Sequence, residues 1–402
     1  MRRRLPRPLT GFVATSGVAV MIAFAVTGCV TPAYVTTPTL TGMTPEVTIE
    51  TRVGGDTAHH GDGAFRNTEG DPQGDATKPS GLEIATWIVT RRALPRLIGA
   101  RQRVTTPVIA LDSGSLREVP PVLRATWLGH ATALVQTPNV AVLVDPVFAP
   151  IAGPLPIFGP DRRVALPATV AQLPPVDVVA LSHDHFDHLD REAVRALAEA
   201  FDPVFLVPLG LRQYVERWGA RRIVELDWWQ SVDLAIGAGR HRFTATPAVH
   251  NSGRSLGGAD RTLWAGWHME SRGADDVPTL AVFYAGDTAY GAHFADVKNR
   301  LGVPDLTLMP IGAYEPRRFT GAFHVAPEEA IAAFLDLGGD SASASGRMPV
   351  FLPVHWGTFE LTDEPMDEPP LRLAAAARAA GIAAQIEILP VGGSLALSGP
   401  LD

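Results

Sequence analysis

The stretch Leu181-Ser182-His183-Asp184-His185-Phe186-Asp187-His188-Leu189-Asp190 places three histidines and three aspartates in eight residues. An apolar run, Val176 to Leu181, precedes it and a helix-like run, Arg191 to Ala200, follows. A short apolar run reads as a buried strand, and apolar positions three and four apart read as a helix. The cluster therefore sits where a strand ends and a helix begins. Alternate side chains of an extended chain share a face, so His183, His185 and Asp187 are expected to converge, with His188 pointing elsewhere close by. Imidazole nitrogens and carboxylate oxygens are suitable zinc ligands. The geometry suits two adjacent metal ions better than one. Asp190 reads as the N-cap of the following helix, with Glu192 in its first turn.

The rest of the chain narrows the classes. It has 402 residues, a formal net charge of −8 and 46% hydrophobic residues, enough for a large core. No Lys/Arg cluster in the body resembles a nucleic-acid footprint, so no nucleic-acid partner is expected. The single cysteine, Cys29, rules out an internal disulfide and a cysteine-based zinc site.

Residues 1–29 read as a targeting segment. Arg2, Arg3, Arg4 and Arg7 precede an apolar stretch from Gly11 to Val26, and Val26-Thr27-Gly28-Cys29 closes it. That ending resembles a bacterial lipoprotein signal, which would make Cys29 the lipidated first residue. The rival is a retained signal anchor. Either way the body is expected outside the cytoplasmic membrane, in the cell envelope, close to a phospholipid surface. Residues 30–81, rich in Thr, Pro, Gly and Asp, read as a disordered tether. Residues 82–122 read as a helical or irregular extension, and 123–402 as the catalytic body.

In the body, strands and helices alternate. Strands are expected at Leu123–Gln136 and Val140–Val144, joined by a turn at Pro138-Asn139, then at Val176–Leu181, Val204–Val207, His241–Thr246, Thr279–Ala285, Leu306–Ile311, Val350–Val354 and Ile386–Leu389. Helices are expected at Leu209–Trp218, at Pro327–Leu337, with proline at its first position and Glu328 and Glu329 in its first turn, and at Leu371–Ala380. Further candidate ligands follow apolar runs. His250 comes after Pro247, Asp287 lies in Tyr284-Ala285-Gly286-Asp287-Thr288, and His355 ends Val350–Val354. Strand ends on one edge of a sheet are where α/β sites assemble.

The order His-x-His-x-Asp-His, then His, Asp and His, resembles the metallo-β-lactamase superfamily. Several segments are similar to the phospholipases D that hydrolyse N-acyl-phosphatidylethanolamine. These are Trp127-Leu128-Gly129-His130-Ala131-Thr132, Glu225-Leu226-Asp227-Trp228-Trp229, Gly312-Ala313-Tyr314-Glu315-Pro316-Arg317, His324-Val325 and His355-Trp356-Gly357-Thr358. The resemblance implies a four-layer αββα sandwich with two Zn2+ at one edge. It implies that His183, His185 and His250 hold one ion, that Asp187, His188 and His355 hold the other, and that Asp287 bridges them. His324 matches a family histidine implicated in catalysis, which could protonate the leaving alkoxide or bind a phosphoryl oxygen. His130 and Asp145 are expected to support the ligands rather than to bind metal.

The implied reaction is phosphodiester hydrolysis to phosphatidic acid and an N-acylethanolamine. Two ions acidify a water and clamp the attacking and leaving oxygens. Alternatives on the same residues are a lactonase or β-lactamase, a hydrolase of another phosphodiester, or a non-catalytic envelope lipoprotein with structural zinc. The apolar loop Ile151–Phe158, with Arg162 and Arg163 behind it, reads either as an ordinary surface loop or as one that dips into the membrane interface.

Overall fold

The computed structural model describes residues 39–41, 49–52, 57–68, 83, 86, 87, 90, 106–154, 159–254, 258–273 and 275–397. All of them fall within the compact unit Ala33–Asp402. The expected signal segment and Cys29 lie outside the described residues, as does most of 82–105. Among the described residues no helix is long and apolar enough to cross a membrane.

One sheet contains β1 (Thr39–Thr41), β3 (Leu123–Gly129), β4 (Thr132–Gln136), β5 (Ala141–Val144), β6 (Val178–Ala180), β7 (Val204–Pro208), β8 (Arg222–Leu226) and β15 (Ser394–Leu397), in the order β1-β8-β7-β6-β5-β4-β3-β15. The other contains β2 (Ile49–Arg52), β9 (Ser231–Ile236), β10 (Gly239–Thr246), β11 (Gly266–Arg272), β12 (Pro278–Tyr284), β13 (Leu306–Pro310) and β14 (Val350–Val354), in the order β14-β13-β12-β11-β10-β9-β2. Strict alternation along the strands separates two apolar layers. Trp127, Val135, Val142, Val178, Leu206 and Val224 belong to the large core that also holds Val232, Phe243, Trp267 and Val282 of the other sheet. Their neighbours Leu128, Leu134, Leu143, Val179, Phe205 and Ile223 belong to a second cluster, with Leu116, Val194, Leu197 and Val215.

The second cluster takes in α1 (Ser113–Arg117), α2 (Arg191–Ala200) and α3 (Arg212–Arg217). Against the other sheet lie α4 (His293–Leu301), α6 (Pro327–Asp336) and α7 (Glu368–Ala379), which bury Phe294, Phe334 and Leu373. A short α5 (Arg317–Thr320) precedes α6. The layers are helix, sheet, sheet, helix, the αββα sandwich expected.

The topology makes one edge special. Strands β5 to β8 run parallel, as do β12 to β14. The C-terminal ends of each block therefore emerge on one side, and hydrogen bonds tie the two sheets together there. His355 N donates to His130 O at 2.8 Å, Ala265 N to Ser182 O at 2.9 Å, and the Trp267 indole to Leu181 O at 2.9 Å.

Several expectations change. Leu123–Gln136 is a hairpin rather than one strand: it turns at Gly129 and His130, whose φ values are 103° and 53°. A period-two pattern runs through such a turn unbroken, because both arms are buried. Ile386–Leu389 is not a strand; Ile386 makes one isolated bridge to Phe351, and the last strand comes after Pro390. The expected tether is folded in parts. Thr39–Thr41 pairs with β8, Ile49–Arg52 with β9, and residues 57–68 pack on the body. Strands of three or four residues added at sheet edges need backbone hydrogen bonds but no side-chain pattern, so composition hid them.

Candidate metal centre

The helix after the histidine-rich stretch begins as expected. Asp190 Oδ1 accepts from Glu192 N at 2.9 Å and Ala193 N at 3.4 Å, a cap contributing about 1 kcal/mol. Its other oxygen accepts from Phe148 N and Ala149 N, so the cap also fastens the loop after β5.

Between strand and cap the chain does not stay extended. His188 N and Leu189 N both donate to His185 O, at 3.1 and 2.8 Å, closing a turn. This corrects the convergence of His183, His185 and Asp187 expected from alternation. The turn leaves His183 and His185 together, with His183 Nε2 2.9 Å from His185 Nδ1, and swings Asp187 and His188 to a second group.

Two clusters result. In one, His250 Nε2 lies 3.3 Å from His185 Nδ1, next to His183. In the other, Asp187 Oδ2 lies 3.5 Å from His355 Nε2 and 3.7 Å from His188 Nε2. Asp287 stands between them. Its Oδ2 is 3.1 Å from both His188 Nε2 and His355 Nε2 and 3.9 Å from His250 Nε2. All seven side chains that the resemblance implied are brought to this edge, in the two groups it implied.

Backbone geometry holds them there. His130, Asp145 and His355 have φ of 53°, 35° and 61°, values rare for residues with a side chain and concentrated where function over-determines the chain. Gly286 has φ 63°, and a Cβ there would meet Ser182 Cβ at 2.8 Å and Ala265 O at 3.0 Å. Only glycine lets the Asp287 turn pack this close.

Supporting groups orient the imidazoles. Asp145 Oδ2 accepts from His188 Nδ1 at 2.6 Å and from the Tyr284 hydroxyl at 2.5 Å; Asp145 also accepts from Ser182 N and the Ser182 hydroxyl. His250 Nδ1 donates to Phe323 O at 2.9 Å. His130 Nε2 donates to Asp187 Oδ2 at 3.0 Å. Each contact turns the far ring nitrogen or carboxylate toward the centre, as supports of metal ligands do. Tyr284 was not expected; its place at the strand end two residues before Gly286 was the only available signal.

Charge follows the same partition. Burial opposes ionisation of Asp287 and Asp187, but the imidazoles beside them, His188 foremost, hold both carboxyls well below the usual range. Burial also opposes the charge on His188 and His355; nearby carboxylates, Asp287 first, nonetheless hold His188 well above the ordinary value and His355 at about 9. In the other cluster burial wins, and His183 and His250 lie well below. His324 Nδ1 is 3.8 Å from Asp287 Oδ2, and burial lowers this histidine to about 4.

The arrangement fits metal ions. His188 Nε2, His355 Nε2, Asp287 Oδ1 and His324 Nδ1 are buried and make no well-directed hydrogen bond. Leaving such atoms unsatisfied is costly, and a cation would satisfy them. Donors of nitrogen and oxygen alone suit zinc and other divalent transition metals.

Arg162 and Arg163 do not reach outward as a membrane-facing pair. Arg162 donates inward to Val147 O and Ala149 O, and Arg163 pairs with Glu360. Arg162 braces its own loop and Arg163 ties it to the segment after β14; residues 155–158 lie outside the described residues.

A family model described as a β-lactamase superfamily domain matches residues 141–356. An uncharacterised protein of Mycobacterium tuberculosis is 38% identical over 79% of this chain and 78% of its own length. N-acyl-phosphatidylethanolamine-hydrolyzing phospholipase D 1 of Caenorhabditis elegans is 33% identical over 60% of this chain and 65% of its own length. Among solved structures, isothiocyanate hydrolase from Delia radicum gut bacteria shares the fold with a TM-score of 0.50 at 20% identity, covering 69% of this chain and 100% of that one.

Proposed function

This chain belongs to the metallo-β-lactamase superfamily and is a metal-dependent hydrolase, and from that premise we propose that it is a binuclear zinc phosphodiesterase that releases N-acylethanolamine and phosphatidic acid from N-acyl-phosphatidylethanolamine. The observation that carries the proposal is the pair of three-residue clusters joined through Asp287. Similarity to the phospholipase of Caenorhabditis elegans supports the substrate class.

In this reading His183, His185 and His250 would hold one ion, Asp187, His188 and His355 would hold the other, and Asp287 would serve both. Bound zinc would acidify a water to a pKa of roughly 7 and offset negative charge on the phosphoryl oxygens. Burial lowers His324 to about 4, which favours a hydrogen-bond donor to a phosphoryl oxygen over a carrier of a transferable proton. Lipidation at Cys29 belongs to the same proposal, because an enzyme held at the outer face of the cytoplasmic membrane meets phospholipid at high local concentration.

The test is incubation of the metal-loaded protein with N-acyl-phosphatidylethanolamine in detergent micelles, with products identified by mass spectrometry. Phosphatidic acid and N-acylethanolamine in equal amounts are expected, and both should vanish in His185→Ala. Cleavage of lactones or β-lactams with no lipid product would overturn the phosphodiester reading.

A further inference from the structure

Residues 57–68 lie far in sequence from the candidate ligands, yet they end on one of them. Asn67 Nδ2 donates to His250 O at 3.0 Å, and Asn67 Oδ1 accepts from His250 N at 3.1 Å. One side-chain amide thus pairs with both polar groups of the His250 backbone, as a neighbouring strand would. The same Oδ1 accepts from the Trp264 indole at 3.1 Å, and that indole also donates to Ala248 O at 2.9 Å. The backbone on both sides of Val249 is therefore held through Asn67 and Trp264.

The segment grips the loop after His250 at a second point. Phe65, buried, donates its N–H to Asp260 O at 2.6 Å, and Asp260 is paired in turn with Ser252 through both N–H groups, at 3.0 and 3.1 Å. At its other end the segment is fastened to the body. His59 Nε2 lies 2.6 Å from Asp227 Oδ1, and His60 Nε2 lies 2.8 Å from Asp227 Oδ2. His59 is fully buried and stacks on Trp228 with ring centroids 4.2 Å apart, and Trp228 donates to Trp264 O at 2.6 Å. Asp227 and Trp228 belong to the Glu225–Trp229 stretch, to which the proposed reaction gives no task.

We infer that residues 57–68 are a strap that positions the His250 side of the metal centre, with Asn67 as the positioning residue and Asp227 as the clasp that holds the strap down. His59, His60 and Asp227 are also a donor set that a metal ion accepts. Each imidazole, however, meets its own carboxylate oxygen at hydrogen-bond length, which a clasp explains without an ion. The strap's direct hydrogen bonds, through Asn67, fall on His250; it meets the turn that carries His183 and His185 only at one remove, where Gly253 N donates to Asp184 Oδ1 at 2.9 Å and Arg254 to Asp184 O at 3.0 Å. Its effect is therefore centred on one ligand of one cluster. Removing groups that orient metal ligands typically costs about 10–100-fold in metal affinity.

The inference rests on His250 being a ligand, and the experiment separates the two ideas. Full-length wild type, Asn67→Ala, Asn67→Asp, Asp227→Asn and His250→Ala would be compared by amide hydrogen exchange without metal and by cobalt(II) titration followed by visible absorption. In metal-free Asn67→Ala, exchange at His250 and Ser252 is expected to rise. Cobalt binding should weaken about 10–100-fold for one of two equivalents, with a changed spectrum for that ion only. Asn67→Asp keeps the two accepting contacts and should recover part of the loss. Asp227→Asn should loosen residues 57–68 and shift the same equivalent by less. Unchanged exchange at His250 in Asn67→Ala would overturn the strap whatever the metals do. Wild-type cobalt binding in His250→Ala would instead remove His250 from the ligands. Loss of a third equivalent in Asp227→Asn would overturn the clasp in favour of a metal site.

Discussion

His188 and His250 are both fully enclosed, both follow a strand, and both face Asp287, yet the site pulls their proton affinities in opposite directions. Behind His188 stands the Asp145 carboxylate at 2.6 Å, with Asp187 and Asp287 in front. Behind His250 stands only the carbonyl of Phe323, and its companions are two further imidazoles. The first half can neutralise itself by keeping protons on its histidines. In the second half burial outweighs the carboxylates nearby, Asp184 among them, and holds the imidazoles below their ordinary value. An aspartate beside two imidazoles thus favours protons on one cluster, while three buried imidazoles disfavour them on the other.

The largest effect is expected where the halves meet. Asp287→Asn removes the negative charge facing both clusters, and hydrolysis should fall by about 10³-fold or more, with both metal equivalents weakened. Steady-state kinetics and metal analysis of the folded variant check this. Loss of only one equivalent would mean that Asp287 serves one half alone.

A smaller and unequal effect is expected behind His188. Asp145→Asn keeps the shape but loses the charge that accepts from His188, Ser182 and Tyr284. Affinity for the ion at Asp187, His188 and His355 should drop about 10–100-fold, with a lesser loss at His183, His185 and His250, because the Ser182 hydroxyl held by Asp145 lies 2.9 Å from His183 Nδ1. Isothermal titration with two resolved binding events decides the matter.

The smallest effect is in pH dependence. His355 is raised to about 9, with His188 raised as well. The raised pKa of His355 stabilises the metal-free fold fully below the ordinary value near 6.5, and that contribution disappears as pH climbs through about 9. Over the same window metal binding at that half should strengthen, because a proton has to leave before an ion enters. His183 and His250 lie well below 6.5 and are already neutral there, so the other half should load with little pH dependence. Metal titrations at pH 6.5, 7.5 and 8.5 should therefore separate one steep and one flat binding event; two parallel slopes would erase the distinction between the halves.

How much of this was visible in sequence depends on how far each feature reaches. The candidate ligands were visible because each follows a strand; β6, β12 and β14 lie in parallel blocks, and β10, antiparallel to its neighbours, precedes His250. Their division into two groups was not visible from alternation, since the turn closed by His188 N and Leu189 N on His185 O leaves no period to read. Asp190 as a cap was legible because capping is local. Asn67 was not, because its partner His250 is 183 residues away and its contacts are to backbone, which carries no residue code. The hairpin at His130 was hidden for a different reason: both of its arms are buried, so the period runs through the turn, and the contact that meets the turn, Thr358 Oγ1 accepting from His130 N at 2.7 Å, comes from far along the chain.

The central claim is that two clusters sharing Asp287 hold two metal ions. The most direct measurement is an anomalous difference map from crystals of the zinc-loaded protein, collected above and below the zinc edge. Two peaks are predicted, one among His183, His185 and His250 and one among Asp187, His188 and His355, with Asp287 against both. A single peak, or two peaks with Asp287 touching only one, would contradict the account.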